Sequence, residues 1–221
     1  MSPEAVILAL ASAVRPSTSL AAVYALLSTS RPRVLLAAFV AAGLVVSTGI
    51  GVLVVVGLHG VNLPGGESQF ADIVDIVAGV AALGFANGVR FGGMERVRRR
   101  RPRDEPSWVV RALREPSVSV AAAVGIATHI PGLFYLVALN AIAAGEPGFA
   151  QSVVEVLVYN VIWFSGPIAA LGYARRRPVE AHDLIARLND WMRRHEQAIL
   201  ATVFALAGAF LVIKGVAGLL S

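Results

Sequence analysis

Six long apolar runs leave this chain one kind of solvent to fold in. They cover about Glu4–Leu27, Val34–Leu58, Phe70–Val89, Ser117–Ala143, Ser152–Tyr173 and Ala198–Leu219. About 20 apolar residues in a helix cross the hydrocarbon core of a bilayer. Lipid offers no partner to a bare backbone, so such runs cross as helices. Charged residues make up 15% of the chain, against about 25% in soluble domains. Mean hydropathy is +0.71. The expected fold is an all-α polytopic membrane protein with six transmembrane helices.

Basic charge alternates between the loops. Arg90–Arg114 alone carries nine arginines, and the loops after runs one and five carry two and six. The loops after runs two and four, around His59–Gln69 and Gly145–Gly148, carry no arginine or lysine. The positive-inside rule therefore places the odd loops in the cytoplasm and both termini outside the bacterial inner membrane. Net charge is +5 and the isoelectric point about 10.4. These arginines border apolar spans, and no interleaved aromatic or glycine motif accompanies them, so no nucleic-acid partner is expected. The opening MSPEAVILALASAVRP lacks a positive n-region and is read as the start of the first span.

Each half holds three spans. Three is odd, so a duplicated half must be inverted in the membrane. The expected division is a first three-helix repeat over 1–91, an arginine-rich cytoplasmic loop over 92–116 and a second repeat over 117–221. The second repeat includes an amphipathic interfacial helix at 179–196. There Leu184, Ile185, Leu188, Trp191 and Met192 fall on one face, with Arg187, Arg193 and Arg194 towards the polar side. Such a helix lies on the inner leaflet. With Arg98 and Arg99 of the central loop, Arg187, Trp191, Arg193 and Arg194 are candidate contacts to the lipid surface.

Polar residues interrupt the spans at matching depths. Arg15-Pro16-Ser17-Thr18 breaks span one, and Thr128-His129-Ile130-Pro131-Gly132 breaks span four. A charge at mid-bilayer costs roughly 2.5–3.5 kcal/mol and normally faces protein or a water-filled cavity. Proline breaks the helix and frees carbonyls nearby. Paired interruptions in inverted halves point to a binding site at the midplane. Arg15, Pro16, Ser17, Thr18, His129, Pro131 and Asn160 are therefore the candidate substrate-binding residues. Against this stand a snorkelling arginine and a neutral, hydrogen-bonded histidine. His129, Glu155, Asp72 and Asp75 are candidate proton or ion-coupling groups, weighed against solvated carboxylates at helix starts. Lys214 is expected to snorkel outward from the end of span six. Glycines on spans two and six (Gly208, Gly215 and Gly218 on the latter) permit a homodimer or internal packing.

Zero cysteines exclude disulfides and thiolate metal sites. No metal or cofactor is expected. No GxxxxGK[ST] loop is present, so energy would come from an ion gradient, a lipid gradient or a partner. No nucleophile or metal-ligand set accompanies His129, so the chain is not expected to be an enzyme.

The Arg15-Pro16 opening, LLSTSRPRVLLAAFVAAG, the arginine-rich centre and THIPGLFYLVALNAI together resemble a known family. It is the actinobacterial peptidoglycolipid- or sulfolipid-addressing (GAP) family of the LysE transporter superfamily. The resemblance covers nearly the whole chain, and Arg15, Pro16, His129 and Pro131 are the matched positions. It implies six helices in two inverted repeats, and movement of cell-envelope glycolipids beside large MmpL-type exporters. The function expected is transport of a glycolipid or lipid-linked glycan with an anionic head group. The alternatives are a LysE-like exporter of small solutes such as amino acids and a non-transporting accessory subunit of a lipid-export complex.

Because the chain has no cysteine, single cysteines report its topology directly. A membrane-impermeant maleimide added to intact cells should label Asn62→Cys and leave Arg99→Cys unlabelled. The reverse pattern would invert the topology.

Overall fold

The computed structural model describes residues 3–13, 19–58, 66–91, 112–113, 116–144 and 148–220. These form nine helices and no strand: α1 (Pro3–Ala13), α2 (Ser19–Leu27), α3 (Pro32–Leu58), α4 (Gly66–Arg90), α5 (Val118–Thr128), α6 (Leu133–Ala144), α7 (Phe149–Trp163), α8 (Ser165–Arg176) and α9 (Pro178–Leu220). Residues 14–18, with Arg15, Pro16, Ser17 and Thr18, lie outside the described residues, as do 92–111 with Arg98 and Arg99.

Proline occupies the first position of α1, α3 and α9. Its missing N–H costs nothing there and its fixed φ suits the first turn. Three helices, α3, α4 and α9, are long and apolar enough to cross a membrane unbroken. Two further crossings arise if each bent pair counts as one: α5 with α6, bent by 70°, and α7 with α8, bent by 64°. The described residues thus hold three to five candidate spans. The outward belt carries Val45, Leu53, Val77, Leu206 and Ile213, all exposed, as suits a surface wetted by acyl chains.

The expected interfacial helix at 179–196 is not a separate element. It is the first part of α9, which runs unbroken for 43 residues. No glycine or proline falls between Pro178 and Gly208, so nothing interrupts the hydrogen-bond ladder. At 1.5 Å per residue α9 is about 64 Å long, roughly twice the hydrocarbon core. Its amphipathic part turns Ala181, Ile185 and Asn189 inward, while Leu184, Leu188 and Trp191 are exposed. The inward face is therefore not the large apolar stripe read from the sequence.

α4 and α9 form a long, close antiparallel pair. A Cβ on Gly79 would stand 2.7 Å from Gly208 O, and one on Gly208 would stand 2.8 Å from Gly79 O. Gly215 backs onto Asp72 O and Gly218 onto the Asp72 carboxylate. The small-residue stripe of the last span thus packs within the chain, as membrane helices that approach closely require. α3 runs through the centre, with Leu36, Phe39 and Val55 fully buried. Its Gly43 meets the Phe164 ring and its Gly51 meets Tyr135 and Val156.

Gly208→Val should force α4 and α9 apart and cost about 1–3 kcal/mol, the usual overpacking penalty. Gly84→Ala, with nothing within 4 Å of the new methyl, should not lower stability. Thermal unfolding in detergent separates the two.

Candidate functional site

Two helix breaks meet in the middle of the molecule. In the first, Pro131 cannot supply the N–H that would continue α5, and it disfavours helical geometry in the residue before it. The open end is closed locally: Thr128 Oγ1 donates to Val124 O at 2.7 Å, and His129 N–H donates to Ile126 O at 3.1 Å. In the second, Pro167 lacks the N–H that would reach Trp163 O, and the chain bends at Phe164. The His129 ring stacks on Phe164 with centroids 3.8 Å apart, and meets Trp163 and Phe39 edge-on at 5.3 and 5.7 Å. His129 Nδ1–H donates to Gly125 O at 3.1 Å, because a carbonyl can only accept.

Beside this layer lies a buried polar chain. Asn160 Nδ2 donates to Tyr135 Oη at 3.0 Å and to Val156 O at 2.9 Å, and Tyr135 Oη donates to Ser47 O at 2.6 Å. Asn160 Oδ1 is buried with no hydrogen-bond partner among the described residues. Tyr159 Oη pairs with Ser12 Oγ at 2.7 Å and donates to Leu8 O, tying α1 to α7. His129 and Asn160 thus share one packed layer through Trp163 and Tyr135, while Pro131 lies at its edge, half-buried.

A cavity of about 1120 Å³ opens at the arginine-bearing end, between the end of α2, the starts of α3 and α5, and the amphipathic part of α9. Arg31 and Arg193 line it, with Ser28, Ser117 and Asp190. Asn189 also lines it, buried and with its Oδ1 unpartnered. Ser28 Oγ lies 3.1 Å from His182 Nε2, whose ring packs against Tyr24. Of the expected surface contacts among the described residues, Arg193 alone lines this cavity. Arg187 and Arg194 are exposed, and Trp191 is half-exposed beside His195.

The chain belongs to the sulfolipid-1-addressing protein (Sap) family.

The family model matches residues 5–217, nearly the whole chain. No curated protein and no solved structure matches. Placement in the LysE superfamily is not part of the family match. The matched stretch contains both breaks and every residue lining the cavity, and Glu4 falls one position before it.

At the opposite end the structure departs from the sequence reading. Lys214 does not snorkel outward alone. Its Nζ lies 2.7 Å from Glu4 Oε2 and 2.5 Å from Asp75 Oδ2, and both carboxylates are buried. Asp75 is therefore no solvated helix-start carboxylate, because the facing helix α9 covers it. Asp72, one turn earlier, is half-buried against Gly218. Glu155 is buried on α7 and accepts from Gln151 Nε2 at 3.0 Å. Glu4 and Lys214 were not singled out as site residues from the sequence. One signal was available: Lys214 is the only lysine beside eighteen arginines.

Tyr135→Phe removes the hydroxyl that links Asn160 to Ser47 at nearly constant volume. It should cost about 1–3 kcal/mol, as buried hydrogen-bond partners are lost. A lower melting temperature with unchanged helix content would report it.

Proposed function

We propose that the chain is an inner-membrane transporter for an anionic cell-envelope glycolipid or lipid-linked glycan. The observation that carries this reading is the cavity at the arginine-bearing end. Its volume suits a sugar-sized head group. Arg31 and Arg193 offer charge-assisted hydrogen bonds to a sulfate or phosphate, and the hydroxyls of Ser28 and Ser117 suit a glycan. Asn189 presents an unspent acceptor to a sugar hydroxyl. The family description, a sulfolipid-1-addressing protein, supports the same chemistry.

In this reading the head group enters from the cytoplasmic leaflet while its acyl chains stay in lipid. A groove of about 990 Å³ between α4 and α9, lined by Gly84, Ala198, Ala201 and Ala205, suits such chains. The route onward passes between α1 and α2, whose link carries Arg15, Pro16, Ser17 and Thr18, towards the layer of His129, Pro131 and Asn160. The six-span inverted arrangement belongs to this proposal. Span one is α1 with α2, span four is α5 with α6, and the unbroken third spans, α4 and α9, pair with each other. Both termini face outward.

A second reading has one observation in its favour. The exposed stripe of Leu184, Leu188 and Trp191 on α9, with exposed Phe91, suits docking to a large exporter of the MmpL type. The chain would then serve as an accessory subunit.

The test uses the purified protein in liposomes with a fluorescent sulfatide as probe. Wild type should bind the probe and carry it between leaflets. Arg31→Ala with Arg193→Ala should weaken binding about 10-fold or more, since hydrogen bonds to charged groups contribute roughly 1.5–3 kcal/mol each. Unchanged binding and flipping would defeat the reading. Loss of function in cells on Trp191→Glu, with flipping in liposomes intact, would favour the accessory role.

A further inference from the structure

The Glu4–Asp75–Lys214 cluster sits where no substrate contact is needed. It joins the start of α1, the first half of α4 and the last turns of α9, at the end opposite the arginine-lined cavity. Lys214 lies six residues before Leu220, about 9 Å along the helix axis.

Its charge count is the first clue. One ammonium and two carboxylates sum to −1, and Glu4 and Asp75 are 5% and 1% exposed. An uncompensated charge so far from water is costly. A metal ion is a poor remedy, because Lys214 Nζ already holds the point between the two carboxylates. A proton is the fitting one. The second clue is independent: Glu4 Oε1 and Asp75 Oδ1 are both buried with no hydrogen-bond partner among the described residues. Each is an open acceptor on which a proton could reside. Third, the Lys214 side chain is 37% exposed, so the cluster is reached from the protein surface along that stem.

Among the described residues, the groups packed around the cluster do not supply the missing charge. α4 adds Asp72, which makes the site more negative. α7 brings Glu155 and Tyr159, α6 brings Tyr135 alone, and α9 brings no other ionisable group between Glu196 and Leu220. Lys214 is the one cation among the described residues of this end.

We propose that Glu4, Asp75 and Lys214 form a proton-coupling site that exchanges one proton with the extracytoplasmic side. In the loaded state one carboxyl carries the proton and the other pairs with the Lys214 ammonium. On release the proton passes to water outside, leaving two carboxylates bridged by one ammonium. α1 carries the change inward. Glu4 and Ser12 lie at its two ends, about 12 Å apart, and Ser12 bonds Tyr159 on the bent α7. Repacking at Glu4 therefore reaches the layer where the broken helices meet. The coupling role rests on the transport reading, whereas the bound proton does not.

Infrared spectroscopy of the protein in phosphatidylglycerol–phosphatidylethanolamine liposomes tests the proton alone. Wild type at neutral pH should show the C=O stretch of a protonated buried carboxyl. Asp75→Asn or Glu4→Gln should abolish it, because the remaining carboxylate pairs with Lys214. Both substitutions are isosteric and should leave the melting temperature in place, whereas Lys214→Met should lower it by stranding two acids. Absence of the band in wild type, or its persistence in both amide variants, would overturn the site. The fluorescent sulfatide then tests coupling. An acid-outside gradient should change the wild-type flipping rate several-fold and leave that of Asp75→Asn unchanged. A protonated carboxyl with gradient-insensitive flipping would overturn coupling. If wild type does not move the probe at all, the transport reading fails while the infrared result still decides the proton site.

Discussion

Every backbone polar group inside a bilayer must find its partner within the protein. A chain that breaks its helices there must therefore shelter each break, and here the breaks shelter one another. The bend after α5 and the bend at Phe164 come together through the stacked rings of His129 and Phe164. Local hydrogen bonds from Thr128 and His129 close the first break. Glycines on α3 let that straight helix approach the layer, with Gly43 against Phe164 and Gly51 against Tyr135. The rest of the packing follows. α1 is held to α7 through Ser12 and Tyr159, and α3 to α6 through Ser47 and Tyr135.

Charge is distributed as unevenly as polarity. Arginine, which cannot be deprotonated in proteins, gathers at one end and lines the cavity there. The lone lysine sits near the other end between two carboxylates. α9 belongs to both sites. Asn189 and Arg193 face the cavity and Lys214 the acid cluster, about 37 Å apart along one helix between Asn189 and Lys214. Its partner α4 packs closely against it through facing glycines.

Much of this was legible in the residues. Hydropathy and arginine spacing marked the apolar helices, and Pro131 marked the bend after α5, because a missing N–H acts wherever the chain goes; the bend at Phe164 emerged only in the structure. His129 and Asn160 were recognised as deep polar residues. Their packing against Trp163, Phe164 and Tyr135 was not, since ring contacts depend on how separate helices dock. The stripe of Leu184, Ile185, Leu188, Trp191 and Met192 read from the sequence is split in the structure: Ile185 turns inward, while Leu184, Leu188 and Trp191 are exposed. The inward face proved to be Ala181, Ile185 and Asn189, because the docking of α9 on its neighbours, and not hydropathy alone, chooses which side of a helix is covered. Lys214 was misread for a similar reason: a lysine near a helix end snorkels only where no acid faces it.

The sequence by itself determined an all-helical membrane protein, the positions of its arginine-rich stretches and the break at Pro131. Those properties follow from transfer free energy and from single-residue backbone chemistry, which are local. Only the tertiary structure decided which breaks meet, that residues 178–220 form one helix, and that Glu4, Asp75 and Lys214 share a site. Those three residues lie on three helices far apart in sequence. Their meeting is settled by the glycine-mediated approach of α4 to α9 and by the docking of α1, which no spacing along the chain encodes.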